Sequence, residues 1–200
     1  MTMRRIVCHT YGPPDTLTLE DAPWPAPAPG QVCVRVEATG LGFVDGLLIA
    51  GKYQIQPPLP YVPGSEFAGT VDALGEGVKG FAVGDRVYGL GQGALAEATL
   101  APAMNLFPLP PGLPFSLGAS LPVNTFTALY AFEHCTHLAA GERMLILGGG
   151  GGVGTAAIAV AKALGAWVVA GASTAAKAEA AREAGADATV NPHTESFRDD

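Results

Sequence analysis

The residues best suited to chemistry here are glycines. The stretch MLILGGGGGVGTAAIAVAKALG (144–165) passes from an apolar strand pattern, through five consecutive glycines, into an apolar helical repeat. Within it Gly149, Gly151 and Gly154 stand at the spacing G-x-G-x-x-G, which in a strand–turn–helix setting predicts a dinucleotide site. Each position has a physical task. Gly149 makes the tight turn, Gly151 lets a pyrophosphate approach the backbone, and Gly154 lets helix and sheet pack closely. The helix opens at Val153, and free N–H groups and a partial positive charge at its start face the phosphates.

A second segment decides which dinucleotide. In AWVVAGASTAAK (166–177) the next strand ends at Gly171, Ala172 and Ser173. The Asp or Glu that binds a ribose 2′-hydroxyl in NAD sites is missing there. Without that carboxylate a 2′-phosphate is not repelled, and Ser173, Thr174 and Lys177 can donate to one. The expected cofactor is NADPH.

Other reactive side chains read as structural. Asp45 is a local hydrogen-bonding group, Glu66 a structural carboxylate, Asp85 a turn residue and Cys33 a small core or rim residue. His134 and His137 flank Cys135 at a loose metal spacing with no fourth ligand nearby, so no metal is expected. No nucleophile stands with its base.

The elements around these residues fall into two textures. Sixteen of the 17 prolines precede Val123. Before it, runs such as QVCVRVEAT (31–39), EFAGTVDALG (66–75), DRVYG (85–89) and ALAEATL (94–100) read as short strands, with a helix at 43–50. They predict a partly open β-barrel. After it strand and helix alternate. A helix starts with Pro122 in its first turn and runs to about Cys135, followed by strand 143–147, helix 153–164, strand 166–171, helix 174–184 and strand 188–190. Gly165 and Gly185 stop the last two helices. The fold class is α/β: a barrel-like domain over 1–121 and, over 122–200, the first β-α-β-α-β half of a doubly wound sheet.

Composition excludes several functions. Charged residues make up 14% and hydrophobic ones 48%, which is incompatible with disorder. A net charge of −7 without a basic stripe argues against nucleic acid. The uncharged run 144–161 contains five adjacent glycines, a poor spanning helix, so no membrane insertion is expected. Three scattered cysteines form no disulfide framework and fit a reducing, cytoplasmic compartment.

The segments GKYQIQPPLPYVPGSEFAGTV (51–71), GDRVYG (84–89), LPVNTFTALYA (121–131) and GGGGGVGTAAIAVAKALGA (148–166) together resemble the zinc-independent quinone oxidoreductases of the medium-chain dehydrogenase/reductase superfamily. The resemblance implies a GroES-like catalytic domain and a Rossmann domain, with the active site in the cleft between them. It implies that Thr127 contacts the nicotinamide carboxamide and Tyr53 lines the substrate cleft, although Tyr53 could also simply cover the edge of the core. It assigns Gly151, Gly152 and Gly154 to the pyrophosphate and Lys177 to the 2′-phosphate. Zinc-dependent relatives carry Cys near Gly42 and His near Ser65, and a four-cysteine lobe absent from 90–115. Two departures stand out: Gly42 replaces an asparagine that reaches the nicotinamide ribose, and Pro192 replaces a tyrosine near the 2′-phosphate.

The expected activity is hydride transfer from NADPH to a quinone or other electron-poor enone, without zinc, by a homodimer. The alternatives are an enoyl-thioester or acrylyl-type reductase, or a non-catalytic NADPH-binding protein. The chain is expected to be a partial or truncated form, since it stops after half of a nucleotide-binding sheet.

Overall fold

A computed structural model describes residues 1–193. The chain divides into two compact units, the first Met1–Pro122 and the second from Val123 onward.

The first unit begins with an antiparallel hairpin, β1 (Thr2–Val7) and β2 (Thr18–Pro23), in which Thr2 faces Pro23 and Val7 faces Thr18. Next come β3 (Gln31–Gly40), helix α1 (Phe43–Ile49), β4 (Glu66–Leu74), β5 (Arg86–Leu90), β6 (Ala98–Pro102) and β7 (Leu106–Pro108). These strands form a five-stranded antiparallel sheet in the order β6-β3-β4-β5-β7. Alternation along β3 sends Val32 and Val34 into a core with Phe67, Val71, Val87 and Leu106. Phe67 is fully buried, a contribution of roughly 1.5–3 kcal/mol.

The opposite face of β3 is also covered. Cys33 packs with Met3, Ala22 and Ala98, so the N-terminal hairpin supplies a second small core. Burial is the main cause pushing the Cys33 thiol pKa up. The period-two pattern of 31–39 anticipated the strand but not the hairpin that covers it. MTMRRIV offers too few alternating apolar residues to read as β1, and its partner lies in a proline-rich stretch. The strand expected over 94–100 runs instead over 98–102. Its preceding residues bond to β1, with Leu95 accepting from the Ile6 N–H at 2.8 Å.

Helix α2 (Phe115–Tyr130) corrects the expected start at Pro122. The Leu117 and Gly118 N–H groups donate to the Pro114 carbonyl, both at 3.1 Å, so an earlier proline opens the helix. Pro122 lies inside it and removes one helical hydrogen bond at the point where the two units divide. Beyond α2 a single π-helical turn spans Ala131–Thr136, ending at His137 in the left-handed region.

The second unit continues with β8 (Arg143–Leu147), α3 (Gly152–Ala163), β9 (Trp167–Gly171), α4 (Ala175–Glu183) and β10 (Ala188–Val190). The strands form a parallel sheet in the order β10-β9-β8, with Leu145 opposite Val169 and Val169 opposite Ala188. Ile158 and Ala161 of α3 pack on Val168 and Ala170 of β9. Both helices end as the sequence predicts. The Ala166 N–H reaches back to the Ala161 carbonyl and the Ala186 N–H to Ala181, each at 3.0 Å, with Gly165 and Gly185 left-handed.

Candidate dinucleotide site

The glycine turn between β8 and α3 is built from the backbone outward. Gly148 adopts φ +69°, so the left-handed step falls there and not at Gly149, where the fingerprint spacing puts the tight turn. The Gly151 N–H closes the turn on the Gly148 carbonyl at 3.0 Å. The Gly149 N–H donates to the Gly171 carbonyl at 2.9 Å and ties the turn to the end of β9. Gly149 therefore lies beneath the site, where an added Cβ would meet the Ala170 Cβ at 2.6 Å.

Gly154 is constrained most tightly, since a Cβ there would lie 2.2 Å from the Gly148 carbonyl oxygen. That is the close helix-to-strand packing the fingerprint requires. At Gly151 the nearest atom would be 3.4 Å away, which is ordinary contact. Gly152 abuts the carboxamide of Asn124, 3.2 Å from where its Cβ would be. Asn124 sits in the LPVNTFTALYA segment without being singled out there. Its role against the turn becomes visible only once α2 is packed. In the first turn of α3, Gly152, Val153 and Gly154 have N–H groups that an α-helix leaves without intrahelical acceptors.

A cavity of about 360 Å³ opens at this turn, lined by backbone of the glycine loop, by Ala172 and by Ser173, Lys177, Pro192 and His193. Among the described residues no carboxylate lines it. Among the described residues the Lys177 ammonium has no ion-pair or hydrogen-bond partner, so a cation is left free to meet an anion. Thr174 differs from expectation. It does not line the cavity, and its side-chain oxygen accepts the Lys177 N–H at 3.3 Å, capping α4. Ser173 and Lys177 line this cavity together with Gly151. His193 joins them unforeseen, since the family resemblance points after β10 only to position 192, where Pro192 brings no donor.

Thr127 lies exposed on α2, and its hydroxyl donates to the Val123 carbonyl at 2.6 Å, leaving the oxygen free to accept. In the first unit Gly42 precedes α1 with an extended backbone, and its N–H donates to Asp45 Oδ2 at 2.8 Å. Asp45 Oδ1 accepts the Ser65 hydroxyl at 3.3 Å, so this buried carboxylate is the local hydrogen-bonding group expected. Asp85 is a turn residue, its Oδ2 accepting the Ala82 N–H at 2.8 Å. Glu66 is buried, and an added Cβ at Gly40 would fall 2.6 Å from its Cγ. Tyr53 is half-buried in the loop after α1. Burial above all, then the Cys8 thiol, pushes the Tyr61 phenol pKa up to about 12. Among the described residues no three His, Cys, Asp or Glu side chains are grouped to hold a metal ion, and no helix is long and apolar enough to cross a membrane.

Two family models match the chain, the alcohol dehydrogenase GroES-like domain over 28–111 and the zinc-binding dehydrogenase over 152–200. Quinone oxidoreductase of Rattus norvegicus is 39% identical over 166 residues, which is 82% of this chain and 50% of the rat protein. The crystal structure of Escherichia coli quinone oxidoreductase complexed with NADPH superposes with a TM-score of 0.85 at 33% identity, covering 98% of this chain and 60% of that one. A cobalt- and zinc-bound thermostable alcohol dehydrogenase from Pyrobaculum aerophilum superposes at 0.86 with 31% identity, covering 96% and 67%. The chain spans about half the length of the quinone oxidoreductases it matches.

Proposed function

Because the chain belongs to the medium-chain dehydrogenase/reductase superfamily, in its quinone oxidoreductase branch, we propose that it is an NADPH-dependent oxidoreductase acting on a quinone or other electron-poor enone without zinc. The observation that carries the reading is Lys177 at the glycine-turn cavity, where among the described residues no carboxylate lines the cavity or pairs with the lysine. Bound NADPH would supply a hydride from the nicotinamide ring. The chain's own groups bind and orient it. N–H groups of the α3 first turn take the pyrophosphate, and Lys177 and Ser173 take the 2′-phosphate. The Thr127 hydroxyl oxygen accepts from the carboxamide, and Tyr53 lines the acceptor site.

Zinc independence is supported by Gly42 and Ser65 standing where metal-binding relatives carry ligands. Three free thiols, two of them buried, support a reducing cytoplasmic setting, and the family likeness supports a homodimer. The test is steady-state oxidation of NADPH and NADH with quinones, with crotonyl and acrylyl thioesters, and in reverse with primary alcohols and NADP. We expect turnover with quinones, a preference for NADPH, and no effect of a chelator. Alcohol oxidation that depends on added zinc would overturn the assignment, and faster turnover of thioesters would replace the acceptor.

A further inference from the structure

We propose that His193 is a specificity-determining residue of the dinucleotide site, its imidazole donating together with Lys177 to the 2′-phosphate of NADPH. The inference rests on the NADPH reading above. Of the described residues lining the cavity, only Ser173, Lys177 and His193 carry polar side chains. A phosphate monoester presents three strong acceptor oxygens. The Ser173 hydroxyl and the Lys177 ammonium can meet two of them. Pro192 brings no donor, whereas an imidazole ring offers at least one N–H in either neutral tautomer and two when cationic.

The backbone places His193 beside those two groups. Strand β10 ends at Val190, whose carbonyl accepts the Ala172 N–H at 2.9 Å, so the end of β10 is pinned next to Ser173. Three residues on, the His193 N–H donates to Asn191 Oδ1 at 3.0 Å, which closes the turn that carries the imidazole. The ring itself is exposed and has no hydrogen-bond partner among the described residues. Asp187, which precedes β10 at the strand's other end, is held by Lys162 and by the Val168 N–H and is not among the residues lining the cavity. The cavity thus receives donors from two strand ends, Ser173 after β9 and His193 after β10, and a cation from α4.

The test uses calorimetric titration of the chain with adenosine 2′,5′-bisphosphate and with AMP, which differ only in the 2′-phosphate. His193→Ala is expected to weaken the bisphosphate by about tenfold, the scale of one hydrogen bond to a charged group, and to leave AMP unchanged. Unchanged AMP binding also reports an intact site. Equal weakening of both probes would overturn the proposal, as would no weakening in His193→Ala while Lys177→Ala loses the preference. In that second case the NADPH reading survives. If the unmodified chain and Lys177→Ala both bind the two probes equally, the NADPH reading fails and the role of His193 fails with it.

Discussion

At Gly154 an added Cβ would strike the Gly148 carbonyl, while at Gly151 it would meet nothing closer than 3.4 Å. The protein itself therefore demands glycine at 154, and at 151 only an approaching ligand does. Gly154→Ala is expected to push α3 off β8 and cost about 1–3 kcal/mol of stability. Gly151→Ala should melt with the parent chain yet bind NADPH at least about tenfold more weakly. Thermal melts beside calorimetry separate the two, and unchanged affinity in Gly151→Ala would remove the phosphate from that position. Gly42 invites the opposite experiment. Its φ of −119° suits any residue, and the nearest atom to an added Cβ is Asp45 Oδ2 at 3.8 Å. Asparagine is also a good residue at the start of a helix. Gly42→Asn is expected to fold normally and lower the KM for NADPH several-fold in quinone turnover.

Elements were legible where one local rule dominates. Gly165 and Gly185 end helices because only glycine enters the left-handed region without strain, and that rule needs no tertiary context. Two competing prolines defeated the same approach at α2, since Pro114 and Pro122 both suit a first turn and only packing chooses between them. The second unit's elements are also cross-linked in a way spacing does not reveal. Lys162 at the end of α3 pairs with Asp187 before β10, and Asp187 Oδ2 accepts the Val168 N–H of β9 at 2.6 Å. The Lys162 ammonium first, and then that N–H, hold the Asp187 carboxyl below the usual range. A lowered folded-state pKa stabilises the fold above the unfolded value, near 3.9, and the contribution is lost as pH falls through the lower folded value. Asp187→Asn should thus lower Tm at pH 7, with the gap to the parent closing below about pH 4. A gap that persists at pH 2 would contradict the account.

Across the molecule, each unit has its own apolar core, one around Phe67 and Val71 and the other around Ile158 and Val168. The parallel sheet is packed on one face by α3 and α4. On its other face Leu147 is 65% exposed, Leu145 46% and Trp167 41%. Substituting Leu147→Ser removes little buried area, so Tm should change by no more than the equivalent of about 0.5 kcal/mol, while binding of a hydrophobic dye falls. A large loss of stability would show that this face is covered in solution.

The sequence by itself determined the order of the two units, the alternation of strand and helix after Val123, and the glycine turn with its missing carboxylate. Those features rest on periodicity, on glycine and proline stereochemistry and on charge, all of which act within a few residues. Only the tertiary structure decided that Thr174 caps α4, that Asn124 backs Gly152, that the hairpin buries Cys33, and that His193 joins Lys177 at one cavity. Each of these depends on which strand ends and helix faces meet in space, and residues as far apart as Met3 and Cys33, or Gly151 and His193, carry no local mark of that meeting.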